Sequence, residues 1–531
     1  MLIDWRAHSG VKSSSSVLFL NLGASLALLL VLTSLVSPVS YPPGSHAYME
    51  QQALALRPGF RADLEMLADA PRYTIEAAVH PEIGRVTGQM VLRYTNTSGM
   101  TLSELVFRLY PNARTIYGGG NLTVESVAQG ETALDTDLSE DATVLRVQLQ
   151  RPLKPGQTVS MDLTFSAQVP AGTRQGYGIF NQDLGVLSLS GWYPQLAIFD
   201  DGWYTAPIPV TGDAMLAETS LYDVTLTVPE GLRVVSTGTM LGRESHGPAV
   251  TWHLVSGPAR EFTVAISDRL EMLETQVGEV TLRLHTLPAE EPTVSEEDAQ
   301  LILSSVFETY VNRFGPYPFV EFDLVEANIP IDGYEFSGMV YVDHAVRAQE
   351  TLADYQYAVA HEVAHQWWYG LVGNHTVKEP WLDESLAAYS SILFLENTQG
   401  PSAGKELLNH WASMEGLRQP EDPPINSSTL EFSSWAPYHK TVYTHGAFFL
   451  DQLRVEMGDQ KFSELLRQHL ARYRYRTATT ADFLDLAETV AGRDLSPIFG
   501  EWFDIDQAYG QETMPRSERT HSQVLPRGPV E

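Results

Sequence analysis

The sequence predicts an α+β chain of several domains, with an antiparallel β-sandwich-like domain first and a mainly helical domain after it. Three observations lead there. Between about residues 70 and 270, runs such as YTIEAAVHP, TVSMDLTFSAQVP and LYDVTLTVPEG alternate apolar and polar residues between Gly, Pro and Asn turns. That pattern is the signature of half-buried strands. Near residue 294 the period changes, and EEDAQLILSSVFETYVNRFG carries apolar residues at helical spacing with acids in its first turn. At 531 residues the chain is also too long for one core.

Residues 1–40 are expected to form a membrane anchor or a signal segment. After Arg6 and Lys12, the stretch VLFLNLGASLALLLVLTSLV (17–36) runs without a charge, and about 20 apolar residues suffice to span a bilayer. It is longer than the apolar part of an ordinary signal peptide, and prolines 38, 42 and 43 crowd the place where a cleavage site would sit. An uncleaved anchor and a cleaved signal both stay open. Either exports the rest of the chain, because the basic flank stays inside.

Residues 41–66 read as a linker with a short helix, and 67–270 as the all-β domain. Within it, LSLSGWYPQLAIFDDGWYTAPIPV is aromatic and turn-rich, as expected of a long loop facing another domain. Residues 271–505 form the second domain. There FDLVEANIP and SGMVYVDHA are strand-like, and helices are expected at 351–372, 380–397, 403–415, 440–456, 459–473 and 480–491. The polar, proline-dotted stretch 506–531 reads as a disordered tail.

Composition narrows the chemistry. With 44% hydrophobic and 19% charged residues the chain is globular, and a net charge of −32 argues against nucleic-acid binding. It has no cysteine, so any metal must be held by His, Asp or Glu.

The chemistry concentrates in HEVAHQWWYG, residues 361–370. On a helix, His361 and His365 share a face, four residues apart. Glu362 lies roughly 100° round from His361, close enough to reach a water without being a ligand. A catalytic zinc site takes three protein ligands of N or O type and keeps one position open. A third ligand is therefore demanded downstream. Completion by a Gly and then a His, three and six residues past His365, fails because Trp368 and Leu371 stand there. A glutamate on a second helix is the other solution. WLDESLAAYSSILFLE opens such a helix and places Glu384 with 18 residues between it and His365. His375 and Glu379, in the intervening turn, are rivals. His-Glu-x-x-His alone is a weak motif; the glutamate helix at this distance is what gives it weight.

HEVAHQWW followed by WLDES resembles the HExxHxW…WLNEG pattern of the aminopeptidase N family of zinc metallopeptidases, which also includes leukotriene hydrolases. FGPYPFVEFDLVE (314–326), GPAREFTVAISDRLE (257–271) and VTLTVPEGLRVVSTG extend the resemblance over about residues 70–505. It implies a thermolysin-like catalytic domain, one zinc ion per chain and peptide substrates with a free N-terminus. It further implies that DGYEFSGMVY (332–341) holds the substrate's amino group through Glu335, with Gly338 and Met339 beside it. Asp332, Tyr334 and Phe336 depart from the family's motif. In YHKTVYTHGAFFL, Tyr443 matches the tyrosine that stabilises the oxyanion, and Tyr438 is the runner-up. The family's second amine-binding residue comes from the β domain, where Gln182 and Asp183 are weak candidates. Asp383 and Ser385 replace the family's Asn and Gly beside the third ligand, and a short form without the long C-terminal helical domain of many relatives is expected.

The expectation is thus a zinc aminopeptidase, with Glu362 as general base. An endopeptidase follows if Glu335 is misaligned, and a catalytically idle binding protein on the same fold is the reading from another class. A purely structural zinc is disfavoured, since closed sites use four protein ligands. The sequence does not give residue preference, physiological substrate or oligomeric state.

Overall fold

Residues 72–267 build three sheets in the computed structural model, which describes residues 46–172 and 176–510. The apolar stretch 17–36 and the tail beyond 510 lie outside the described residues. Period-two alternation sets which way each strand faces. In Thr158–Gln168, for example, Val159, Met161, Leu163, Phe165 and Ala167 are buried, while Thr158, Ser160, Asp162 and Thr164 are exposed. The large sheet has eight strands, in the spatial order Thr239–His246, Ala249–Val255, Leu221–Pro229, Arg72–His80, Arg85–Thr95, Thr158–Gln168, Asn121–Gln129 and Thr132–Ala133. Arg72–His80 and Leu221–Pro229 pair in parallel, a departure from the all-antiparallel expectation. The chain leaves this sheet after Gln168 and re-enters it at Leu221; so long an excursion can return in either sense, whereas only short hairpins impose antiparallel pairing. Two four-stranded sheets complete this region, and Tyr73, Trp192, Tyr193 and Tyr222 lie at its centre with Tyr73 stacked on Tyr222 at 4.8 Å.

The turn-rich stretch does reach the helical region. Its strand Gln195–Leu196 is followed by a strap with little regular structure, 197–219. Lys378 binds Asp200 across 2.6 Å, Thr376 Oγ1 donates to the Met215 carbonyl, and the His375 ring meets Tyr204 edge-on at 4.6 Å.

The second region begins with strands β1 (Glu271–Val277) and β2 (Val280–Thr286), then α1 (Glu296–Phe314), β3 (Glu321–Ala327), β4 (Gly333–Phe336) and β5 (Met339–Asp343). The strands form one mixed sheet in the order β1-β2-β3-β5-β4, with β4 at its edge. Helices α2 (Leu352–Ala364), α3 (Trp381–Gln399), α4 (Pro401–Glu415), α5 (Trp435–His439) and α6 (Gly446–Met457) follow, with a π-helical segment, Lys440–His445, between the last two. Ser295 caps α1 and Thr351 caps α2, the latter in a reciprocal box with Asp354. Helix Ile505–Tyr509 occupies the start of the expected tail. No described helix is long and apolar enough to cross a membrane.

Helix α2 stops at Ala364 rather than continuing to 372. The Trp367 and Trp368 indoles find acceptors at the Gly315 carbonyl and Ser390 Oγ, and Tyr369 adopts φ +127°. That turn is held from the β region by Arg260, which is 2% exposed. Its guanidinium donates to the carbonyls of Tyr369 (2.6 Å), Ala217 (3.0 Å) and Arg476 (3.0 Å). Gly373 leaves the room: a Cβ there would lie 2.0 Å from the Arg260 guanidinium carbon. Arg260→Met strands three carbonyls, those of Tyr369 and Ala217 buried, and we expect it to cost about 3–5 kcal/mol in urea unfolding. A loss below about 1 kcal/mol would show that these carbonyls find other donors.

Candidate metal centre

Helix geometry brings His361 and His365 to one face of α2, and α3 packs beside it with Glu384 in its first turn. His361 Nε2 lies 3.2 Å from His365 Nε2 and 3.2 Å from Glu384 Oε2, and His365 Nε2 lies 3.5 Å from Glu384 Oε2. A tetrahedral ion with ligands at 2.0–2.1 Å has edges of about 3.3 Å, so the three separations suit zinc. The tautomer suits it too. His365 Nδ1 faces the Trp368 carbonyl at 3.0 Å, and a carbonyl only accepts; the proton therefore sits on Nδ1 and the Nε2 lone pair points into the cluster.

Electrostatics suit a cation as well. All three ligands are buried. Burial opposes the charge on Glu384, but its hydrogen bonds to His361 and His365 hold the carboxyl well below the usual range. Burial lowers His361, while His365, desolvated but beside Glu384, rises to about 9. Around them stand Glu335, Glu362, Asp213 and Asp383. Burial raises Glu335 well above an ordinary carboxyl, and the charges of Asp213, Glu384, Glu362 and Asp383 push it the same way. Asp383 is raised to about 8 by burial and then by Glu384, whose backbone N–H it accepts at 2.9 Å. So many buried acids around two imidazoles either take up protons or are offset by a cation, and the cluster is suited to hold one.

Glu362 projects between the ligand cluster and the sheet edge. Its Oε2 has no hydrogen-bond partner among the described residues, and burial raises its pKa to about 8. The β4 backbone presses against it: a Cβ on Gly333 would lie 2.3 Å from Glu362 Oε1. Glu335 sits on β4 opposite Val340 of β5. Carboxylate oxygens of Glu335 and Glu362 and a nitrogen of His365 fall within 4.8 Å of one another.

Tyr443 reaches the cluster from the π-helical segment and donates to Glu384 Oε1 at 2.5 Å. Gly446, three residues on, permits this. A Cβ there would lie 1.9 Å from Ser385 Oγ, which donates to the Val442 carbonyl and ties α3 to the tyrosine's segment.

Most other sequence candidates lie elsewhere. Met339 is packed into the core around the β sheets, because β5 turns that side chain away from the ligands. Gly338 occupies the β4–β5 turn at φ +78° and donates its N–H to Gln366 Oε1. His375 binds the Lys378 backbone and is pushed down to about 4 by burial, and Glu379 caps Thr480. Tyr438 stays near the cluster, buried against Gly212 with its ring 5.9 Å from that of Tyr443, whereas Asp183 accepts from Asn328 and Gln182 pairs with Leu187 in a β sheet.

Two residues escaped the sequence reading. Asp213, delivered by the strap, is 7% exposed and faces Glu335 and Glu384. Gln366 clips the end of α2 to the β4–β5 hairpin, donating to the Phe336 carbonyl while accepting from Gly338 and Tyr317. Its place beside His365 was the available signal; Asp213 offered none.

Residues 306–502 match the Peptidase family M1 domain. Human aminopeptidase B is 25% identical over 279 residues, 50% of this chain and 41% of that protein. Probable aminopeptidase 2 of Sulfurisphaera tokodaii is 25% identical over 264 residues, 45% of this chain and 32% of its own length. The chain thus spans about two fifths or less of these curated relatives. The crystal structure of an M1 zinc metallopeptidase from Deinococcus radiodurans superposes with a TM-score of 0.63 at 19% identity, covering 84% of this chain and 95% of that one. A mutant of it bound to a Tyr-Ser-Ala substrate gives 0.62 at 20% identity, with the same coverage. At these identities the likeness to the solved structures is one of fold.

Proposed function

We propose that this chain, a member of peptidase family M1 through residues 306–502, is a zinc-dependent aminopeptidase that holds one ion on His361, His365 and Glu384. The observation that carries this reading is the three-ligand cluster with a second pair of buried acids, Glu335 and Asp213, beside it. The relatives named aminopeptidases support it. When bound, zinc polarises the scissile carbonyl and acidifies an adjacent water.

The chain's own residues do the rest. Glu362 takes a proton from the attacking water on its free Oε2 and returns it to the leaving amine. The Tyr443 hydroxyl leaves Glu384 and donates to the developing oxyanion. Glu335 and Asp213 bind the substrate's ammonium group, so that only the first peptide bond reaches the ligand cluster. In this reading the β domain (67–270) supplies Asp213 and the catalytic domain (271–505) supplies the remaining groups. The uncharged stretch 17–36 supports an extracytoplasmic location, reached through an anchor or a cleaved signal.

The test compares peptides with free and acetylated N-termini. Acetylation should abolish cleavage, and Glu335→Ala should lower kcat/KM by about 100-fold, as loss of a buried charge-assisted bond does. Equal cleavage of both peptides would instead mark an endopeptidase.

A further inference from the structure

Tyr443 has an unusual support. Its ring lies near-parallel to two imidazoles, that of the ligand His361 (5.4 Å, 18°) and that of His439 (4.8 Å, 18°). His439 ends α5 and precedes the π-helical segment, so it stands one turn before the tyrosine. Its own ring is fixed from behind, because Nδ1 meets Glu415 Oε1, at the end of α4, across 2.9 Å. The Glu415 carboxyl is desolvated, yet the bond to His439 holds it below the usual range. Two further rings meet Tyr443: Tyr438, buried, edge-on at 5.9 Å, and Trp435, tilted by 57° and 45% exposed; neither lies parallel to the phenol.

We propose that His439, clamped by Glu415, is a positioning residue that sets the plane of the Tyr443 phenol. The inference rests on the oxyanion role given to Tyr443 above. That role requires the hydroxyl to exchange Glu384 for the substrate oxygen. A stacked ring allows the small in-plane movement this needs and resists the tilt that would carry the hydroxyl away. The π-helical backbone makes the support necessary, since such single turns pack less regularly than an α-helix. His439 is joined by ring contact to Tyr443, but its charge also reaches His361; the zinc content measured below separates that route from the one through Tyr443.

The experiment measures kcat, KM and bound zinc for wild type, H439A, H439F, Y443F and the H439A/Y443F double variant on an aminoacyl reporter. H439A should lower kcat by about 10- to 100-fold, the loss a misplaced catalytic group gives, with KM and zinc content unchanged. H439F keeps a flat ring and should recover most of kcat. In the Y443F background H439A should cost nothing more, because the two residues act as one unit. Wild-type kcat in H439A, or losses that multiply in the double variant, overturns the proposal. Should H439A fail to hold zinc, Glu415→Ala releases the imidazole clamp and carries the same expectation and the same overturning result. Unchanged kcat in Y443F would overturn the tyrosine's role instead, a distinct outcome.

Discussion

Zinc-loaded Glu362→Gln should turn over about 10⁴-fold more slowly than wild type while keeping its metal. Glutamine has the same shape, and shape matters here because the β4 backbone at Gly333 leaves the carboxylate no spare room. The three groups proposed to hold the ion are His361, His365 and Glu384, so the substitution leaves that donor set intact. What disappears is the ability of the unpartnered Oε2 to take a proton. Burial, helped by the charges of Glu384 and Asp332, raises Glu362 to about 8, and a dication held nearby favours the carboxylate again. Metal analysis beside steady-state kinetics checks the point. A zinc-replete variant within tenfold of wild type would remove Glu362 from the chemistry.

How much of this was legible follows from which contacts are local. His361, Glu362 and His365 lie on one helix whose geometry is fixed, and the demand for a third ligand pointed to the next helix at a fixed remove. Tyr443 came from the resemblance alone, through the glycine three residues on; in the structure that glycine marks where α6 closes on Ser385 of α3. Asp213 was invisible: it arrives on a strap without periodicity, and nothing in GDAM says where that strap docks. Periodicity also misled. The apolar run WWYGLV continues a helical pattern, yet the indole N–H groups and the left-handed Tyr369 end α2 early, since each tryptophan needs an acceptor that only the tertiary fold supplies. Met339 shows the same limit, for a motif match cannot tell which side of β5 a residue faces.

Glu384→Ala should lose zinc, and the loss can be read without turnover. Removing the only carboxylate among the three ligands takes away the charge that offsets the ion as well as one donor, and we expect affinity to fall by at least about 1,000-fold. Binding to the folded state alone stabilises by RT ln(1 + [L]/Kd), about 4 kcal/mol at 1,000 times Kd. Zinc at that level should therefore raise the unfolding free energy of wild type by about that much and leave Glu384→Ala near its metal-free value. Without zinc the variant should fold about as well as wild type. It loses the acceptor facing His361 and His365, but it also removes a negative charge from beside Glu335, Asp213 and Asp383. The opposing terms explain why the metal-free protein is the proper reference: the glutamate's contribution appears only when there is a cation to hold. A zinc-induced rise in stability equal to that of wild type would show that another residue completes the site.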